Sequence, residues 1–141
     1  MPTQETKACA FEALHRGEPF VIPNPWDAGS ARVLAALGFP ALATTSSGFA
    51  FTLGRFDGAA TLEEVVAHVA AIDSATDLPV SVDLENGYGP EPQDAARAIV
   101  SSRSGLPLMW FSARAVSVNG QPIPRAASTA AATRSTAWGR S

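Results

Sequence analysis

Pro79-Val-Ser-Val-Asp-Leu-Glu-Asn-Gly-Tyr-Gly-Pro90 is an apolar run that ends in two carboxylates, Asp83 and Glu85, and then in a glycine turn. Successive side chains of a strand alternate faces, so an extended backbone through Glu85 sets Asp83 and Glu85 on one face and Val82 and Leu84 on the other. Two carboxylates so placed repel unless solvent, a donor or a proton intervenes, and a divalent hard cation such as Mg²⁺ removes the conflict. The same spacing also suits a solvated strand end closed by an Asn86-Gly87 turn. Both readings stand on the residues alone.

Outward from this strand, placed at Leu78 to Leu84, the pattern alternates. Thr61 with Glu64 forms a capping box, and Leu62, Val65, Val66, Val69 and Ile72 make an apolar stripe that predicts a helix to about Thr76. Pro92 to Val100 reads as the next helix, with Asp94 near its N-terminus. Upstream, Ala8, Phe11 and Leu14 predict a helix between Thr3 and His15, and Phe20-Val-Ile-Pro-Asn-Pro25 a short strand. Asp27 caps a helix from Ala28 to Leu37, and Pro40 to Ser46 reads as a buried strand leading into a Ser/Gly-rich loop through Gly58. Strands without polar alternation, each followed by a helix, predict an α/β fold with a parallel sheet covered by helices.

The chain of 141 residues is one domain long, and an apolar fraction of 46% is enough for a packed core. No stretch has the roughly 18 uninterrupted apolar residues of a membrane span. Glu5, Lys7 and Glu12 stand where a secretory leader would need an apolar centre, so a cytoplasmic protein without membrane partners is expected. The single Cys9 excludes an intrachain disulfide and a thiolate metal site, and is expected to pack against the first helix. Every acid lies at or before Asp94, and the remainder carries arginines dispersed from Arg97 to Arg140. Such dispersion argues against a nucleic-acid partner.

Ligands of parallel α/β folds collect at the carboxyl ends of strands, and three segments fall there: Asn24 to Asp27, Thr45 to Phe49 and Asp83 to Gly89. Ser46, Ser47 and Gly48 offer hydroxyls and an open backbone N–H to a carboxylate or phosphate oxygen, or else form a turn. Asp57 could hold a water or join a metal shell, or else be a surface acid beside Arg55. Four blocks in order, Asn24-Pro-Trp-Asp-Ala-Gly-Ser-Ala-Arg32, Thr44-Thr-Ser-Ser-Gly-Phe-Ala50, Leu53-Gly-Arg-Phe-Asp57 and Val82-Asp-Leu-Glu-Asn-Gly-Tyr-Gly89, resemble the isocitrate lyase/phosphoenolpyruvate mutase family. The resemblance runs from about Phe11 to Val100.

This resemblance implies the first three strand-helix units of a (β/α)₈ TIM barrel. It also implies a Mg²⁺-dependent enzyme that makes or breaks C–C or P–C bonds of small 2-oxo or 2-hydroxy carboxylates through a pyruvate-type enolate. Ser47, Gly48 and Phe49, with Ser46 adjacent, match the family's substrate-carboxylate loop. Asp57 matches its loop acid, and Asp83 and Glu85 its metal-side acids. Glu85 stands where aspartate is frequent, which points to a water-mediated contact with the metal. The Lys-Lys-Cys-Gly-His loop of the lyase branches has no counterpart here, so the phosphonomutase-like and oxaloacetate-decarboxylase-like members are the nearer match.

Residues 101–141 contain no acid and no clear periodicity apart from an apolar run at Leu106 to Phe111, so an irregular, non-matching tail is expected after a barrel-like part over 1–100. Truncation or a shifted reading frame near Val100 would produce such a tail, with Arg114 as its one candidate substrate contact. A barrel front with open sheet edges is expected to be poorly stable and to associate, so a homo-oligomer is open to it. Beside the enzyme, two other classes remain: a noncatalytic carboxylate-binding module, and an interaction protein that pairs through the exposed barrel edge.

Overall fold

Parallel pairing along Val80-Ser-Val-Asp83 organises the structure, a computed structural model that describes residues 2–103 and 110–112. The elements in chain order are α1 (Gln4–Leu14), α2 (Ala28–Ala36), β1 (Leu42–Ala43), α3 (Ser46–Thr52), α4 (Leu62–Ala75), β2 (Val80–Asp83), α5 (Pro92–Arg103) and β3 (Trp110–Ser112). The strands form one parallel sheet in the order β1-β2-β3, with Leu42 opposite Val80 and Val82 opposite Phe111.

The core lies under the inward side of β2. Val80 and Val82 are buried while Ser81 and Asp83 are half-buried, the alternation expected of a strand with one covered face. Leu42, Leu84, Val65, Val69, Ile72, Phe49, Ala98, Ala60 and Ala31 complete the cluster, so β1, α2, α3, α4 and α5 all contribute. Helix α4 follows its sequence pattern closely. Thr61 and Glu64 close the capping box, and Val65, Val69 and Ile72 face inward.

Four expectations need revision. Phe20 to Pro25 is not a strand, because Pro23 and Pro25 have no N–H to donate. The segment still lies along β1: the Ala43 N–H donates to the Pro23 carbonyl (3.1 Å), and the Asn24 side-chain amide donates to the Ala43 carbonyl (2.9 Å). The strand expected from Pro40 to Ser46 shrinks to Leu42–Ala43. Beyond it, the expected Ser/Gly loop begins as helix α3, capped by Thr45, whose side chain accepts from the Gly48 N–H.

Helix α1 lies within the expected Thr3 to His15, and its buried positions are Lys7 and Phe11. The Lys7 ammonium donates to the Asp73 carboxylate (2.8 Å) and to the carbonyls of Asp73 (3.1 Å) and Thr76 (2.9 Å), which fastens α1 to the C-terminal end of α4. The carbonyls at that end have no intrahelical donor, so a cation there is well placed. The fourth revision is Cys9, which is exposed. Of the apolar run at 106–111, positions 110 and 111 belong to β3, and 106–109 lie outside the described residues, as do Arg114 and the rest of 113–141.

Candidate active site

Asp83 is the last residue of β2 and the point where three segments meet. Its backbone N–H donates to the Thr44 hydroxyl (2.9 Å), one residue past β1. Its carboxylate accepts the Ser46 N–H of α3 (3.2 Å) through one oxygen and the Glu85 N–H (2.9 Å) through the other. The strand end, the first turn of α3 and the following turn are thus tied by one side chain.

Glu85 does not continue the strand. Its φ of 49° is left-handed, so the premise of one extended strand face for both acids does not hold. The turn brings the acids together by another route. Glu85 Oε2 would be 3.6 Å from a Cβ at Gly58, which places this carboxylate against the segment that carries Asp57. Burial, then Asp57, then Asp83 push the Glu85 carboxyl above its ordinary range. Asp57 itself is exposed, and the guanidinium of Arg55 pairs with Glu64 (2.8 Å).

The turn after Glu85 is tightly determined. Gly87 has φ 86°, and a Cβ there would lie 2.7 Å from Ala95 Cβ, so only glycine fits. Tyr88 has φ 63°, and its N–H donates to the Asn86 side chain (2.9 Å). The Tyr88 ring packs on the core, while its hydroxyl is buried and lacks a hydrogen-bond partner. Glu85 stands close to this phenol without a bond of full hydrogen-bond geometry. Burial, followed by Glu85 and Asp83, pushes the phenol well above its ordinary value.

In the first turn of α3, the Ser46 N–H is engaged by Asp83, and the Ser47 hydroxyl lies 3.3 Å from that of Thr45. The Gly48 N–H is used by the cap, and a Cβ on Gly48 would lie 2.9 Å from Trp26 Cδ1 and 2.6 Å from Thr45 Cγ2. Gly48 therefore lets the indole lie against the helix start. Phe49 is buried and stacks on His68 of α4, with ring centroids 3.9 Å apart and planes at 15°. Burial lowers the His68 imidazole, Asp27 partly opposes this, and Nε2 has no hydrogen-bond partner.

The sequence-derived candidates thus fall into one neighbourhood, with Asp57, Asp83 and Glu85 on one side and Ser46 to Phe49 on the other. Among the described residues no three His, Cys, Asp or Glu side chains converge as a ready ligand set. The donor chemistry nonetheless fits a hard cation, because the Glu85 carboxyl, raised by burial and then by the neighbouring Asp57 and Asp83, gains from a divalent charge. Thr44, Trp26, His68 and Tyr88 were missed as contributors. Trp26, Thr44 and Tyr88 lie inside the motif blocks, whereas His68 lies outside them and its contact with Phe49 comes from the tertiary arrangement. No described helix is long and apolar enough to cross a membrane.

The family model for phosphoenolpyruvate phosphomutase matches residues 11–104. A crystal structure from Burkholderia cenocepacia, assigned as a lyase/mutase, is 49% identical with a TM-score of 0.68, covering 70% of this chain and 36% of that one. The 2,3-dimethylmalate lyase of Eubacterium barkeri is 38% identical over 86 residues, which is 60% of this chain and 30% of the relative. Oxaloacetate acetylhydrolase, solved with the inhibitor 3,3-difluorooxalacetate, is 31% identical with a TM-score of 0.63, covering 71% of this chain and 36% of that one. The chain spans about a third of the length of the curated relatives it matches.

Proposed function

Because the chain belongs to the phosphoenolpyruvate phosphomutase family, within the isocitrate lyase/PEP mutase superfamily, we propose that it serves lyase or mutase chemistry on a small 2-oxo or 2-hydroxy carboxylate, with Mg²⁺ as cofactor. The bond made or broken is C–C or P–C, through a pyruvate-type enolate. The observation that carries this reading is the gathering of Asp57, Asp83 and Glu85 beside the first turn of α3, where Glu85 responds to both other acids.

In this reading Asp83 and Glu85 would hold the cation. Bound there, Mg²⁺ would offset the negative charge that develops on substrate oxygens. Ser46, Ser47, Gly48 and Phe49 form the wall for the substrate carboxylate, with the Ser47 hydroxyl as its donor and the Phe49–His68 stack as its rigid back. Asp57, exposed on its loop and facing the same acids, exchanges a proton with the substrate. The relatives named for 2,3-dimethylmalate and oxaloacetate act on small dicarboxylates, which fits a site with one wall for a carboxylate and one for a cation. The partial (β/α)₈ barrel belongs to the same proposal, with β1, β2 and β3 as consecutive barrel strands.

One second reading is a noncatalytic carboxylate-binding module that keeps the same wall at the start of α3. Oxaloacetate consumption by the full chain, with and without Mg²⁺, separates the two. Mg²⁺-dependent consumption that Asp57→Asn abolishes supports the enzyme. Retained Mg²⁺ affinity without turnover supports the module.

A further inference from the structure

We propose that Tyr88 is a positioning residue for Glu85, donating its phenolic proton to that carboxylate and holding it beside Asp83 for cation binding. This rests on the reading of Asp83 and Glu85 as the acids that hold the cation.

A buried hydroxyl without an acceptor is costly, by about 1–3 kcal/mol, and calls for an explanation. The Tyr88 hydroxyl is in that position. The backbone keeps it there. Glu85 at φ 49° and Tyr88 at φ 63° are both left-handed without being glycine, and they flank Gly87, which Ala95 confines. Left-handed side-chain-bearing residues persist where surrounding structure over-determines them, and they cluster at functional sites. Here the Gly87 N–H donates to the Leu84 carbonyl (2.8 Å) and the Tyr88 N–H to the Asn86 side chain (2.9 Å). The ring is fixed against the core, and its polar end is left among Glu85, Asp83 and Asp57.

The needs of the two groups are complementary. An ionised carboxylate only accepts, and a phenol has one proton to donate. Glu85 has one more rotatable bond than an aspartate, and its carboxylate already reaches toward Gly58, so without a donor it is free to turn away from Asp83. A closed Tyr88–Glu85 hydrogen bond satisfies the buried hydroxyl and selects one orientation of the acid. Tyr88 stands one step behind Glu85, which itself is expected to meet the cation through a water. Its deletion therefore falls at the lower end of the about 10–100-fold by which partners around a metal site typically change its affinity.

Mn²⁺ binding by the full chain tests the assignment, because Tyr88→Phe removes only the hydroxyl. The expected result is a Kd for Mn²⁺ about tenfold weaker in Tyr88→Phe. In a Glu85→Gln background the same substitution is expected to change it less than about twofold, since the carboxylate it serves is gone. Equal affinity in wild type and Tyr88→Phe overturns the role of Tyr88 alone, and so does a loss that persists undiminished in the Glu85→Gln background. Absence of Mn²⁺ binding in the wild type overturns the cation reading and this role with it. Tyr88 is the one tyrosine of the chain, so 3-fluorotyrosine labels it alone and keeps the test available if Tyr88→Phe does not fold. A fluorine resonance that shifts when Mg²⁺ is added supports the proposal, and one that does not move while Mg²⁺ binds overturns it.

Discussion

The Asp83 carboxylate accepts the backbone N–H of Ser46 at 3.2 Å, joining the end of β2 to the first turn of α3. Its other oxygen takes the Glu85 N–H, so the two halves of the candidate site share one anchor. The spacing between Glu85 and the first turn of α3 is therefore set by backbone contacts to a single side chain.

Glycine at position 48 is required by the Trp26 indole and the Thr45 methyl group, which leave no room for a Cβ. Gly48→Ala is expected to destabilise the chain by about 1–3 kcal/mol, the usual cost of overpacking. Chemical denaturation checks the magnitude.

The Glu85 carboxyl is raised above its ordinary value by burial and by Asp57 and Asp83. A raised carboxyl favours the native state only while protonated, so stability falls as pH climbs from the ordinary glutamate range through the folded-state value. Glu85→Gln is expected to remove this decline and raise the melting temperature of the metal-free chain at neutral pH by a few degrees. Saturating Mg²⁺ should reverse the order, stabilising wild type more than the variant. Melting curves against pH, with and without Mg²⁺, check both parts.

His68 has the opposite dependence. Its imidazole is lowered by burial, so the unfolded chain binds its proton more readily than the native one. Its contribution is fully present above the unfolded value, near 6.5, and is lost as pH falls through that value toward the lower folded one. His68→Phe keeps an aromatic ring against Phe49 and removes the titration. The variant is expected to flatten the slope of melting temperature against pH in this acidic window.

Local signals were legible where one element contained both partners. The Thr61–Glu64 box and the Val65, Val69, Ile72 stripe announce α4, and Asp27 with Ser30 caps α2. The same local reading missed α3, because Ser46-Ser47-Gly48 has turn composition and the helix depends on the Thr45 cap and on burial of Phe49 and Ala50. Lys7 escaped notice because its partners, Asp73 and Thr76, lie on a distant helix end. The acids at 83 and 85 were recognisable by type and spacing. Their meeting comes from a left-handed turn at Glu85 rather than from strand parity, and only the folded backbone reveals it. His68 behind Phe49 and Thr44 under Asp83 are tertiary contacts with no periodic signature.

The most direct test of the central claim is calorimetric titration of Mg²⁺ into the full chain and into Asp83→Ala, each with and without oxalate, a small dicarboxylate seen as a product in oxaloacetate acetylhydrolase. The account predicts that wild type binds Mg²⁺ more tightly when oxalate is present, and that Asp83→Ala loses at least about tenfold in Mg²⁺ affinity together with the oxalate effect. Unchanged Mg²⁺ affinity in Asp83→Ala would contradict it.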